Sequence, residues 1–158
     1  MAKYRLLSLE ELEELEKEFV EYLILNGIEA EDWDKLKKEK PKDAEKVIEL
    51  FSDVVFENIM RKTKFLEWRN AKELRSLQCL NNKFVVVGIN VSKTENADLT
   101  NPEYLKDALK NPPSNTEVFT TEIKYIQSRE QEIFKLIENG LVISNGNLFK
   151  TLCLTLPK

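Results

Sequence analysis

The chain has 158 residues, with 24 Lys and Arg, 28 Asp and Glu, and no His, which gives a formal net charge of −4. This length suits a single domain with its own core, and the 42% hydrophobic content argues against disorder. The absence of His excludes Ser–His–Asp triads and His metal ligands. Residues 1–62 carry a net charge of −6 against +2 for residues 63–158, so we do not expect the first part to bind nucleic-acid phosphates.

The first apolar pattern predicts a single helix over residues 9–26, because Leu, Phe and Tyr side chains recur there every three or four positions. Ser8 and Glu11 have the spacing of a capping box at its start. Gly27 is a typical helix stop, since glycine adopts the left-handed backbone that ends many helices.

Two further helices are expected before the pattern changes. The first covers about residues 30–38, with Trp33 and Leu36 facing inward. Pro41 opens the second, since proline is tolerated in the first turn of a helix. Residues 1–62 are therefore predicted to form a helical section of about three helices.

After residue 63 the apolar spacing changes from the helical period toward alternation, which favours strands. Asn81-Asn82 is predicted as a two-residue hairpin turn, because Asn accepts a positive φ. Residues 74–80 fit either a strand or a helical turn. The predicted strands cover residues 64–69, 84–91 and 117–126, and a short helix runs from Asn101-Pro102 to about Leu109.

The C-terminal part is predicted to contain one more helix and a hairpin. Ser128 and Gln131 suggest a second capped helix start, and Gly140 a helix end. Asn145-Gly146 is the typical sequence of a tight hairpin turn, so residues 141–144 and 148–156 are predicted as its two strands. The order helix–strand–turn–strand also occurs in winged-helix proteins, but this helix carries more acidic than basic residues, which disfavours DNA reading.

The predicted fold class is α+β, with an N-terminal helical section (residues 1–62) packed with an α+β section (residues 63–158). The latter contains a mainly antiparallel sheet of about five strands and one or two further helices. We expect a single domain over residues 1–158, because about 60 helical residues would hardly close a core of their own.

Four stretches of the sequence look familiar: YRLLSLEELEELEKEFVEYLILNGI, DWDKLKK, IELFSDVVFE, and REQEIFKLIENG followed by LVISNGNLFKTL. Through them the chain resembles, over nearly its whole length, a small family of uncharacterised bacterial proteins, a domain of unknown function. The resemblance implies a bacterial origin and carries no activity, substrate or catalytic residue.

The leading functional hypothesis is a non-enzymatic protein-interaction module or accessory subunit. The sequence contains no phosphate-binding Gly-rich loop, no HExxH, no GxSxG and no CxxC motif. We therefore predict no cofactor, no metal site and no catalytic residue. Aromatic residues are frequent interface anchors. The candidate interface residues are Trp33, Tyr4 and Tyr104.

Two alternatives remain open at the level of the sequence. One is a protein that binds RNA or single-stranded DNA through basic residues at one edge of the sheet, namely Lys64, Arg69, Arg75 and Lys83. The other is a His-free enzyme that uses carboxylates or Cys79, whose thiol would be tuned by Arg75.

Location and partners follow from the same patterns. The start of the chain lacks the long apolar run of a signal peptide. No apolar run approaches the roughly 20 residues of a membrane span. We therefore expect a cytoplasmic protein with a protein partner and no membrane association, and a homodimer is compatible with the sequence.

Overall fold

The computed structural model describes residues 3–155, and the chain divides between Ile59 and Met60 into two compact units. The first unit is helical. It contains α1 (Leu9–Glu14), α2 (Glu16–Leu25), α3 (Ala30–Glu39) and most of α4 (Pro41–Lys62).

The first predicted helix is in fact two helices. The capping box is confirmed, since the Ser8 hydroxyl accepts the Glu11 N–H at 3.1 Å and a Glu11 carboxylate oxygen accepts the Ser8 N–H at 2.9 Å. The prediction of one continuous helix is wrong at Leu15, whose backbone leaves helical geometry (φ −104°, ψ 21°). Its N–H contacts the carbonyls of both Glu11 and Leu12, which is the shared hydrogen bonding typical of a helix terminus.

An aromatic cluster joins the helices of the first unit. The Phe19 ring lies 5.2 Å from the Trp33 ring in an edge-on arrangement and 4.9 Å from the Phe51 ring, and Tyr22 lies 5.3 Å from Phe51. Such pairs stabilise a core beyond the area they bury. Trp33 is therefore part of the internal packing of this unit, in agreement with its predicted inward orientation.

The second unit contains a five-stranded antiparallel sheet in the order β4-β3-β2-β1-β5. This arrangement confirms the α+β prediction, with helices that precede an antiparallel sheet. The strands are β1 (Phe65–Arg69), β2 (Glu73–Cys79), β3 (Lys83–Asn90), β4 (Glu117–Lys124) and β5 (Val142–Ser144), and the helices are α5 (Pro102–Lys110), α6 (Arg129–Glu138) and α7 (Asn147–Thr155).

One face of this sheet carries the main hydrophobic core of the second unit. Side chains from β2 and β3 pack there against α5, α7 and the loop before α5. We call this side the α5/α7 face. Its fully or nearly fully buried residues are Leu74, Val87, Ile89, Val91, Ala97, Leu99, Leu105, Phe149 and Leu152.

The predicted C-terminal hairpin is wrong, because the segment after Gly146 is the helix α7. The Asn145 side chain accepts the Asn147 N–H at 3.0 Å, and the Gly146 carbonyl accepts the Lys150 N–H at 3.0 Å, so the turn starts a helix. Phe149 and Leu152 lie on one face of a helix and are 7% and 1% exposed. In a strand they would point to opposite faces. Residue 156, the last of the predicted strand, lies outside the described residues.

The turn at Asn81-Asn82 is confirmed, with a different backbone from the expected one. The Leu80 N–H donates to the Lys83 carbonyl at 3.0 Å across the two residues. Among the described residues other than glycine, only Asn96 has a positive φ. Neither Asn81 nor Asn82 has the positive φ on which the prediction of this turn was based.

Candidate binding surface

The strand register defines the side of the sheet opposite the α5/α7 face. We call it the α6 face, because α6 lines a cavity over it. The β1, β2, β3 and β4 residues that lie opposite one another form rows across this face. The central rows are Leu66, Leu77, Val86 and Thr121, followed by Trp68, Arg75, Gly88 and Phe119.

Arg75 lies between two aromatic rings in the second of these rows. Its guanidinium carbon is 5.7 Å from the Trp68 ring centre and 5.9 Å from the Phe119 ring centre. Gly88 makes this possible, since a Cβ there would overlap the Phe119 ring and approach the Leu74 carbonyl oxygen to 2.9 Å. A glycine inside an apolar strand pattern signals such a close approach.

A cavity of about 380 Å³ adjoins this row on the α6 face. This volume lies in the range of pockets that bind small molecules, which are mostly apolar with a few polar groups. Three of the lining side chains are polar: Arg75, Glu132 and Asn139. The apolar lining consists of Trp68, Leu77, Phe84, Val86, Ile123, Leu136 and Leu141.

Arg129 fixes the beginning of α6 beside the end of β2. Its guanidinium donates to the carbonyls of Met60 at 3.1 Å and Cys79 at 3.2 Å, and to that of Thr63. Its side chain is largely buried. Hydrogen bonds from a charged donor are worth more than neutral ones, so this residue anchors the helix to the sheet.

Cys79 lies beside this anchor and does not have the surroundings of a reactive thiol. Burial raises the pKa of the Cys79 thiol to about 11, against a smaller opposing effect of Arg129. Arg75 lies four positions away along β2, which separates the two Cα atoms by about 13 Å. Tuning of the thiol by Arg75, one form of the enzyme hypothesis, thus has no geometric basis here.

The predicted interface residues lie in separate places, and each makes contacts within its own unit. The Tyr4 hydroxyl donates to the Glu57 carboxylate, and its N–H donates to Asp53 at 3.2 Å. Trp33 packs on Phe19. Tyr104 packs against the core of the α5/α7 face, and its hydroxyl is buried without a hydrogen-bond partner among the described residues. Their role as interface anchors stays a prediction.

The predicted basic residues do not form one edge of the sheet, because Arg69, Arg75 and Lys83 lie on the inner strands β1, β2 and β3. The register also puts Arg69 and Lys83 on the α5/α7 face and Arg75 on the other. Lys83 pairs with Glu122 at 2.9 Å, and Arg75 lies 3.6 Å from Glu73. Lys64 precedes β1 and lines a separate polar pocket with Arg129.

The free edge of β4 is a feature that the sequence did not reveal. Sheet order is a tertiary property, so the local sequence alone does not assign β4 to the edge of the sheet. β4 has eight residues and ends the sheet, and Phe119 and Ile123 on it are 38% and 49% exposed. The many polar residues of β4, Thr120, Thr121 and Glu122 among them, are the one available signal.

Some kinds of site are not formed by the described residues. Within residues 3–155, no three His, Cys, Asp or Glu side chains converge in a way that could hold a metal ion. No helix in the same range has the length and apolar character needed to cross a membrane.

The fold and surface define an α+β protein in which helices precede a five-stranded antiparallel sheet. A family model with the description "Family of unknown function (DUF6495)" matches residues 1–156, and the chain belongs to this family. The expected resemblance to a domain of unknown function is thereby confirmed. Neither a curated protein nor a solved structure matches the chain.

Proposed function

We propose that this chain is a non-enzymatic protein-interaction module that binds an extended segment of a partner protein along the free edge of β4. The observation that carries the proposal is the length and exposure of that edge. A strand at the edge of a sheet presents unpaired N–H and C=O groups, which an added strand can satisfy.

The two edges of the sheet differ sharply. β5 has three residues, a length typical of an edge that is kept from pairing further. β4 has eight residues, all paired with β3 on its inner side. No backbone hydrogen bond joins the outer side of β4 to another described residue. The long edge therefore offers a full strand's length for a partner.

The side chains of β4 indicate the chemistry of the partner. Its charged residues, Glu117, Glu122 and Lys124, lie toward the two ends, and residues 118–121 are uncharged. Phe119 and Ile123 lie on the α6 face and are partly exposed. An added strand with apolar side chains at alternate positions would cover them, since aromatic and branched cross-strand pairs stabilise sheets.

The two alternative functions have weaker support. Nucleic-acid affinity needs basic side chains that neutralise phosphates from one side, and Arg69 and Arg75 lie on opposite faces. Thiol catalysis needs a thiolate, and burial raises the pKa of Cys79.

The proposed setting is the cytoplasm of a bacterium. Cys153 is an exposed free thiol, which suits a reducing compartment. The bacterial part rests on the resemblance described above.

Thr121→Lys tests the proposal. Thr121 is exposed in the centre of β4, and a lysine there places a charge where the partner strand would pair, a common natural protection of sheet edges. The tagged protein is purified from its own cells at high salt, and partners are quantified by mass spectrometry. We expect a stoichiometric partner with the unmodified chain and at least a tenfold loss with Thr121→Lys.

Ser114→Lys is the matched control, because it adds the same charge in the exposed loop before β4. It should retain the partner, and circular dichroism should show that both variants fold. Equal recovery with Thr121→Lys, or no partner at all, would refute the proposal. Light scattering tests a further outcome. If the unmodified chain self-associates and Thr121→Lys does not, the strand that pairs with β4 comes from a second copy of this chain.

A further inference from the structure

We infer that the cavity on the α6 face binds a small amphipathic monoanion, with its anionic group at Arg75 and its apolar body over Leu77 and Val86. This site shares Ile123 of β4 with the proposed partner surface, and its other lining residues lie on β1, β2, β3, α6 and the segment after α6. Its test measures ligand binding to the chain alone, so its outcome does not depend on a partner. Three features of the cavity support such a ligand: the position of its charged groups, the contacts that hold Arg75, and the apolar surface formed by Leu77 and Val86.

The charged groups of the cavity lie at opposite ends. Arg129 ties the beginning of α6 to the Cys79 carbonyl, so Glu132, one turn later, lies near the Cys79 end of β2. The chain leaves α6 through Leu141 and enters β5, where Val142 pairs with Glu67, next to Trp68. Asn139 and Arg75 therefore mark the other end.

This separation matters for the ligand. Four strand positions between the Cys79 and Arg75 rows correspond to about 13 Å. Glu132 is also engaged, since its carboxylate accepts the Gln127 N–H at 3.0 Å. An anion at the Arg75 end is thus attracted by the guanidinium and kept apart from the only other charged group that lines the cavity among the described residues.

Arg75 is held in place before any ligand arrives. The Trp68 and Phe119 rings lie on either side of it. Glu73, which precedes it on the same face of β2, lies 3.6 Å from the guanidinium and is itself bonded to Asn90. Glu73 does not line the cavity, so it supports Arg75 from outside.

The guanidinium keeps donors for a ligand. No hydrogen bond from the Arg75 side chain to another residue is present within residues 3–155. Arg presents five N–H donors in a planar fork that matches a carboxylate, sulfonate or phosphate oxygen pair. Together with the apolar surface formed by Leu77 and Val86, this geometry selects a molecule with one anionic head and an apolar body.

The test is isothermal titration calorimetry of the full chain with octanoate and with octylammonium, which have chains of equal length and heads of opposite charge. We expect octanoate to bind and octylammonium to bind at least tenfold more weakly. Arg75→Met keeps the aliphatic stem against the two rings and removes the charge. It should weaken octanoate at least tenfold, the usual effect of losing a charged hydrogen-bond donor.

Arg69→Met is the matched control, because it makes the same change at an exposed position on the other face of the sheet. It should leave octanoate binding unchanged. Leu136→Trp adds a large ring inside the cavity and should abolish binding, with circular dichroism as the check on folding. If octanoate fails to bind at millimolar concentration, binds Arg75→Met equally, or binds no better than octylammonium, the inference is overturned.

Discussion

Glu11 shows how one side chain can serve both a helix start and an ion pair. One carboxylate oxygen accepts hydrogen bonds from Arg5 Nη1 at 2.8 Å and from the Ser8 N–H at 2.9 Å, and the other accepts from Arg5 Nη2 at 3.2 Å. The Arg5 hydrogen bonds, then the Ser8 backbone, lower the pKa of Glu11 to about 2. The capping spacing was visible in the sequence, whereas the Arg5 partner was not.

Glu11→Gln should therefore change the stability in a pH-dependent way. A carboxyl whose pKa is lowered on folding contributes stability above its unfolded pKa and loses it as the pH falls. Gln keeps the capping role, so the cost at neutral pH should be about 0.5–1 kcal/mol. In urea unfolding, the difference from the unmodified chain should shrink between about pH 5 and pH 2.

Arg5→Gln removes the other member of the pair and serves as the control. Its stability difference should decline over the same pH window. A difference for Glu11→Gln that is the same at neutral and acid pH would contradict this assignment of the lowered pKa.

At the scale of the element, α7 shows how local sequence can mislead. Asn145-Gly146 does form a turn with a positive φ at Gly146 (+88°). The same dipeptide suits a hairpin or a helix start, and the choice depends on where the following apolar residues are buried. Phe149 and Leu152 can both be buried in the core of the α5/α7 face only if this segment is helical. The strand prediction failed for this tertiary reason.

Gly146→Ala should destabilise the second unit strongly. A Cβ at Gly146 would lie 2.5 Å from the Phe65 ring, whereas a Cβ at Gly140, also at positive φ (+106°), meets nothing within 4 Å. Gly140→Ala should cost about 1 kcal/mol from the backbone alone. Gly146→Ala should cost about 2 kcal/mol or more, because Phe65 must move.

Urea unfolding of both variants provides the comparison. If the two substitutions cost the same, the Phe65 ring is not what restricts position 146. If Gly140→Ala costs more, the packing described around α7 is wrong.

At the scale of the whole molecule, the question is whether two compact units behave as one domain. The division between Ile59 and Met60 lies inside α4, close to the boundary at residue 62 expected from the pattern. The prediction of a single domain rests on the small size of the helical section, which would hardly close a core alone.

The two tryptophans provide a direct test, because Trp33 belongs to the first unit and Trp68 to the second. Trp33→Phe and Trp68→Phe leave one fluorescent reporter in each unit. A single cooperative domain gives coincident thermal midpoints for both reporters, and this is the expected result. Midpoints that differ beyond the shift caused by each substitution, measured by calorimetry, would show two domains.

The sequence by itself determined the elements whose signals are local. Capping residues, proline and glycine stops, and the change of apolar period at residue 63 predicted most helices and strands, because these signals act within one or two turns of the chain. Ser8, Gly27 and Pro41 are the clearest cases. Membership of a family of unknown function was also visible in the residues.

Only the tertiary structure decided the candidate sites. Arg75 meets Trp68 and Phe119 because three loops bring distant strands into one register, and no local rule sets a strand order. The exposed edge of β4 and the cavity under α6 follow from the same order. Local propensity acts over a few residues, whereas a binding surface is made by side chains that only the packed sheet brings together.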